Sequence, residues 1–178
     1  VTATTLRIGG AMSLSGDLSM GTVEFFGDST VQDDFTYLNT TVTGKATLAG
    51  TTTVNGNLTV NGSAGELVLN GQTMTVSGNL TTNGKIQMTN AADSLTVAGN
   101  ALFRAVNCSG SSHGTFSAGT LRVRGNFTQT RYEPKYNYDW CDNATFSASG
   151  THKTILDGTS QQTITFDSGG SASNYSHF

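Results

Sequence analysis

The sequence predicts an all-β chain that folds as a right-handed parallel β-helix, or β-solenoid, with rungs of about 20–25 residues. Three observations lead to this prediction. A short glycine-led phrase recurs along the chain, short β-rich segments end at turn-forming pairs such as Asn-Gly, and no window shows the apolar spacing of an amphipathic helix. Together they indicate stacked structural units.

The recurring phrase consists of a glycine, an asparagine or aspartate, a large apolar residue and a hydroxyl residue. Clear copies begin at Gly16, Gly56, Gly78 and Gly125, and Gly99-Asn100-Ala101-Leu102 is a degraded copy. From Gly56 onward the copies follow one another at the spacing of solenoid repeats, with a longer step before Gly125 that indicates a longer loop. The wider interval between Gly16 and Gly56 leaves room for two units.

Strand signals dominate the chain between these phrases. Alternating or β-branched residues predict strands at residues 6–8, 12–14, 22–25, 46–48, 52–54, 58–60, 66–69, 74–76, 86–88, 95–97, 154–156 and 163–166. Most of them end at Asn-Gly, Ser-Gly or Ala-Gly, and asparagine and glycine reach positive φ at little cost, so these pairs predict sharp corners. Leu58, Leu80 and Phe127 follow equivalent corners, which predicts that they share one internal column.

A β-sandwich is the alternative fold, because Asn-Gly also forms two-residue hairpins. The solenoid is favoured because the strands are short and closely spaced, and because the corners fall into register at the longer period. Asn57, Asn79, Asn100 and Asn126 are equivalent in that register. In a parallel coil they would form a structural corner ladder, with side chains that stack and bond from rung to rung.

Composition limits the function classes. The 178 residues carry a net charge of −3 and only 12% charged residues, which gives no reason to expect a nucleic acid or an anionic membrane as partner. No apolar run is long enough to span a membrane. Cys108 and Cys141 lack metal-ligand or redox spacing. The sequence favours a disulfide between them, with two buried thiols as the alternative.

The segment 130–143 interrupts the strand rhythm and predicts an inserted loop rich in tyrosine and tryptophan within a single domain spanning residues 1–178. Its candidate binding residues are Tyr132, Tyr136, Tyr138 and Trp140. Exposed aromatic side chains bind sugars and proteins, whereas buried ones would cover the side of the solenoid core. The sequence leaves both interpretations open.

Signals for catalysis or metal binding are weak, so the sequence predicts no enzyme, no cofactor and no metal site. Residues 110–114 match the G-x-S-x-G pattern but lack the following helix of a nucleophile elbow. The three histidines, His113, His152 and His177, are not spaced as metal ligands, and the carboxylate pairs Asp33/Asp34 and Asp139/Asp142 suit solvated loops. Copies of Thr-x-Thr begin at residues 51, 73 and 163, without a steady rung period.

The second half of the chain carries a recognisable set of segments. They are 85–93 (KIQMTNAAD), 95–100 (LTVAGN), 121–129 (LRVRGNFTQ), 146–156 (FSASGTHKTIL), 162–166 (QTITF) and 176–178 (SHF). Together they resemble the β-solenoid repeat regions of large secreted or cell-wall surface proteins of Gram-positive bacteria, over roughly residues 56–178. The resemblance implies a segment of a longer extracellular protein and brings no catalytic residues. The cysteines and the aromatic loop are not part of the shared pattern.

The sequence and the resemblance lead to a ranked set of functional expectations. The first is a non-catalytic structural or adhesive module at a bacterial surface, acting as a rigid stalk or a fibre subunit that associates end to end. The alternative is a β-helix that binds or cleaves carbohydrate, like phage tailspikes and pectin lyases. Ice binding by a threonine face is a remote third. The expected partners are a second copy, a glycan or a host-surface protein.

Overall fold

The computed structural model of the chain describes residues 5–11, 21–33, 35–104, 114–130 and 146–166. Within them the chain forms nineteen strands and no helix, so no helix of the described part could cross a membrane. The strands are β1 (Thr5–Ile8), β2 (Thr22–Phe25), β3 (Asp28–Val31), β4 (Phe35–Tyr37), β5 (Asn39–Val42), β6 (Lys45–Leu48), β7 (Thr52–Val54), β8 (Leu58–Val60), β9 (Glu66–Val68), β10 (Thr73–Val76), β11 (Leu80–Thr82), β12 (Lys85–Met88), β13 (Ser94–Val97), β14 (Ala101–Arg104), β15 (Thr115–Phe116), β16 (Thr120–Val123), β17 (Phe127–Thr130), β18 (Lys153–Leu156) and β19 (Ile164–Phe166).

The strands form three sheets in which every neighbouring pair is parallel. Sheet 1 has the order β1-β2-β5-β8-β11-β14-β17-β19, sheet 2 the order β3-β6-β9-β12-β15, and sheet 3 the order β4-β7-β10-β13-β16-β18. The chain therefore visits the three sheets in turn and returns one rung further along. This confirms the predicted parallel β-solenoid and contradicts the sandwich, which would be built from antiparallel strands.

The first rungs are shorter than the predicted length of about 20–25 residues. In sheet 1, Thr22 of β2 pairs with Asn39 of β5, and Thr40 of β5 pairs with Leu58 of β8, so both rungs fall below that range. The next two rungs, from β8 to β11 and from β11 to β14, lie within it. The difference lies in the corners. Residues 43–44 join β5 to β6, whereas residues 61–65 join β8 to β9; residues 49–51 join β6 to β7, whereas residues 89–93 join β12 to β13. The phrase belongs to a different corner, the one before sheet 1. There Leu38 stands in place of glycine before Asn39, so no copy of the phrase marks the short rungs.

The core fills the space between the three sheets. Along most strands every second side chain is buried, as in Lys45–Leu48, where Ala46 and Leu48 point inward. Parallel pairing stacks these inward residues into columns. The pairing of β8, β11, β14 and β17 places Leu58, Leu80, Ala101 and Phe127 in one column, which confirms the predicted column.

The core becomes aromatic in the later rungs. The ring centroid of Phe103 lies 5.9 Å from that of Phe116, 5.2 Å from that of Phe127 and 5.1 Å from that of Phe146. All four side chains are fully buried. Edge-to-face and offset contacts at these distances add to the burial of apolar area. The four rings therefore link β14, β15 and β17 to the segment that begins at Phe146.

Candidate functional site

The corner before sheet 1 carries an asparagine column. The backbone N–H of Asn79 donates to the Oδ1 of Asn57 at 2.8 Å, and Asn100 and Asn126 repeat the contact to the asparagine one rung before them, each at 2.8 Å. The column starts earlier, where Asn57 donates to the Oδ1 of Asn39 at 2.9 Å, and it ends where Thr163 donates to the Oδ1 of Asn126 at 2.8 Å. The side chains thus bond to the neighbouring backbone rather than to one another.

The glycines of the phrases that the structure describes are required by this column. A Cβ placed on Gly78 would lie 2.5 Å from the Oδ1 of Asn57 and 2.6 Å from the carbonyl oxygen of Gly56. Gly99 meets Asn79 at 2.5 Å in the same way. Real side chains do not approach so closely, so only glycine lets consecutive corners stack. The recurrent Gly-Asn pair therefore has a structural explanation and gives no evidence of a catalytic or binding site.

Asn39 was missed by the sequence analysis. Leu38 precedes it in place of glycine, so the phrase is absent, although Asn39 pairs with Thr22 on one side and accepts the bond from Asn57 on the other. Its amide nitrogen also donates to the carbonyl oxygen of Gly21 at 3.2 Å. A search for asparagine at rung spacing, without the glycine, would have found it.

Sheet 3 presents threonine columns on its outer face. Strand pairing aligns Thr36, Thr53, Thr75 and Thr96 in consecutive strands. Thr73, Ser94 and Thr120 form a second column beside them, at the preceding outward position of each strand. The Thr-x-Thr copies beginning at residues 51 and 73 are therefore in register on this sheet. The copy at residue 163 lies in sheet 1 instead.

Sheet 2 presents a column of alternating charge. Its pairing aligns Asp28 with Lys45, Lys45 with Glu66, and Glu66 with Lys85. The ion pairs of the described residues lie elsewhere: Arg7 with Glu24 at 2.8 Å, and Arg122 with Asp157. Hydrogen bonds from Arg7 and Thr43 lower the pKa of Glu24 below its usual value.

Asp93 is a buried carboxylate that no sequence pattern singled out. It is 2% exposed, and its two oxygens accept from the backbone N–H of Gly71 at 2.6 Å and of Asn90 at 2.9 Å. Buried carboxylates need such partners. Asp93 therefore fastens the turn before β13 to the corner of the rung below, and its oxygens are occupied by this structural role.

His152 is the one histidine in the described residues, and its surroundings are those of a core residue. Its ring lies 5.3 Å from the centroid of Phe116 and 6.1 Å from that of Phe146. Burial lowers its pKa below the ordinary value, so the ring is neutral at pH 7 and donates from Nδ1 to the carbonyl oxygen of Ala118 at 2.9 Å. No group of three or more potential metal ligands occurs in the described part of the chain.

The predicted aromatic binding residues, Tyr132, Tyr136, Tyr138 and Trp140, lie outside the described residues, and so do both cysteines. Sugar binding by the loop and the Cys108–Cys141 disulfide stay predictions. The described strands that flank residues 105–113 and 131–145 are neighbours, since Arg104 pairs with Thr130 and Phe116 with Ala148. Asp34, residues 110–113 and Asp139/Asp142 also fall outside, whereas Asp33 lies in a turn after β3.

Comparison with known proteins found no matching family model, no matching curated protein and no matching solved structure.

Proposed function

We propose that this chain is a non-catalytic structural or adhesive module of a bacterial extracellular or cell-surface protein, acting as a rigid stalk or a self-associating fibre subunit. The observation that carries the proposal is the uninterrupted register of sheet 1, whose eight parallel strands run from β1 to β19. At a strand spacing of about 4.8 Å they span roughly 34 Å. The resemblance to Gram-positive surface repeats supports the location.

Stiffness follows from how the rungs are joined. Each rung contacts its neighbours through three sheets, a continuous apolar core and the asparagine column. In such a stack each unit is stabilised by its nearest neighbours, so bending would break contacts on one whole side. A rod of this kind keeps two points at a fixed distance, which is what a stalk has to do.

Association end to end follows from the terminal strands. Within the described residues, β1 and β19 each pair on one side only in sheet 1, and Ile164 of β19 is 46% exposed. Strand edges with unpaired backbone groups form sheets with other chains. A second copy placed on this axis would continue the three sheets.

Electron microscopy of the purified chain over a range of concentrations tests the proposal. Filaments of one width that lengthen with concentration are the result expected for a fibre subunit, and separate short rods of uniform length are the result expected for a stalk. Particles without a long axis, or irregular aggregates, would contradict both forms.

Ice binding is a second candidate, and the register of the threonine columns on sheet 3 favours it. Four threonines of one column, Thr36, Thr53, Thr75 and Thr96, each offer a methyl group and a hydroxyl group at about 4.8 Å between strands. Thr73 and Ser94 add hydroxyl groups about 6.7 Å away along β10 and β13. Uncharged side chains at regular spacing suit an ordered water layer. The array is interrupted by Arg122 in β16, so it covers four strands, β4, β7, β10 and β13.

Thermal hysteresis measures this second activity directly. We expect a gap between melting and freezing points for the unmodified chain, lost in Thr75→Lys at the centre of the array. The matched control is Thr59→Lys, which places the same side chain on the outer face of sheet 1. No gap in the unmodified chain, or equal loss in both variants, would exclude the threonine face as an ice surface.

A further inference from the structure

Four charged residues form a column across sheet 2, referred to here as the charge ladder: Asp28, Lys45, Glu66 and Lys85. They lie at the same position of β3, β6, β9 and β12, so their signs read minus, plus, minus, plus along the solenoid axis. None of the four takes part in an ion pair among the described residues. Their charges are therefore open to a partner from outside this part of the chain.

The ladder is complementary to itself. Reversing the order of the four signs gives plus, minus, plus, minus, which is opposite to the original at every position. A second copy related by a two-fold axis through the middle of the ladder would place its Lys85 against Asp28 and its Glu66 against Lys45. The same two contacts repeat by symmetry, as in any isologous interface. Four ion pairs would form, with no like charges facing.

The surroundings of the ladder permit this approach. The neighbouring outward column holds Thr30, Thr47, Val68 and Gln87, which carry no charge. At the β3 end, a shallow depression of about 220 Å³ is lined by Asp28, Ser29, Thr30, Lys45 and Thr47. The long side chain of Lys85 from a second copy would enter this depression beside Asp28. The depression holds the Asp28 carboxylate and the Lys45 ammonium group, so Lys85 and Glu66 of the second copy would each meet an opposite charge there, which is charge complementarity of the kind that selects partners.

We propose that two copies of this chain associate side by side and antiparallel through the charge ladder of sheet 2. This contact differs from the end-to-end association proposed above, because a two-fold pair closes at two copies, whereas axial stacking continues. The four strands span only about 14 Å, so the interface is small and belongs to the weak class. Exposed ion pairs are screened by salt, and the pair should therefore dissociate as ionic strength rises.

Sedimentation velocity tests the proposal on the complete chain. We expect a concentration-dependent equilibrium between one and two copies at low ionic strength, shifted to single copies in high salt. Lys45→Glu would place a glutamate against Glu66 of the other copy, and Glu66→Lys would place a lysine against Lys45 of the other copy. Each variant should lower the association constant about tenfold or more. The matched control, Lys153→Glu, makes the same change on sheet 3 and should leave association unchanged.

Charge exchange gives the decisive comparison. The double variant Lys45→Glu with Glu66→Lys again has a complementary ladder and should recover association. Mixing the two single variants should also give pairs, because each supplies the charge that the other lacks. Circular dichroism checks that every variant is folded. A wild-type chain that stays single at low salt, equal loss in the Lys153→Glu control, or failure of both rescues would overturn the proposal. Species that grow beyond two copies would assign the association to the solenoid ends.

Discussion

Replacing Phe103 by alanine is expected to destabilise the chain by about 3–5 kcal/mol, the range for removing a fully buried phenylalanine ring. Phe103 contacts Phe116, Phe127 and Phe146, so it joins three consecutive parts of the aromatic core. Thr82 and Gln129 lie below and above it in its column and have no apolar ring to fill the gap. The cavity would therefore remain open.

Urea unfolding measures this effect through the midpoint and the slope of the transition. Leu102→Ala is the matched control, because Leu102 is the neighbour of Phe103 on the outer face of β14, and it should cost much less. The slope has to be compared as well, since rungs of a solenoid can unfold separately from one end. A loss below about 1 kcal/mol in Phe103→Ala would contradict the aromatic cluster.

Gly78→Ala is expected to destabilise the chain by about 1–3 kcal/mol even though it adds a single methyl group. The new Cβ would lie 2.5 Å from the Oδ1 of Asn57 and 2.6 Å from the carbonyl oxygen of Gly56. The Gly78 N–H also donates to that carbonyl at 2.9 Å, so relief of the clash would lengthen a bond between rungs. Thermal unfolding should show a lower midpoint.

Two further variants separate the rung contact from a general effect of alanine. Ser77→Ala, at an exposed position beside the glycine, should change stability little. Asn57→Ala removes the asparagine oxygen, so the double variant with Gly78→Ala should be less destabilised than the sum of the two single changes. Strict additivity, or a neutral Gly78→Ala, would show that the corners do not stack as closely as described.

The repeat phrase made the fold predictable because the close approach of neighbouring rungs requires glycine and asparagine at these corners. The sequence shows this requirement at four equivalent positions, Asn57, Asn79, Asn100 and Asn126. The short rungs from β2 to β8 were not predicted, because Leu38 replaces the glycine before Asn39 and no copy of the phrase marks their length. Their length became visible only in the strand register, which also revealed Asn39.

The surfaces were harder to predict than the core. Asp28, Lys45, Glu66 and Lys85 are unequally spaced along the chain, and unequal spacing hides a straight column when rung lengths vary. The threonine columns were obscured for the same reason. Asp93 could not be recognised as buried, because its partners are backbone groups, one of them in another rung. Sequence patterns report periodic local structure well and alignment between rungs of unequal length poorly.

Distances between spin labels on the outer face of sheet 1 test the central claim, a stiff stack in register. With Cys108 and Cys141 changed to serine, labels at Thr41 and Thr128 should lie about 19 Å apart, and labels at Thr59 and Thr165 should give the same distance. Each pair spans four strand intervals, although the second pair is more widely separated along the chain. Equal, narrow distributions are the result expected. Unequal or broad distributions would contradict the in-register solenoid on which the proposed stalk depends.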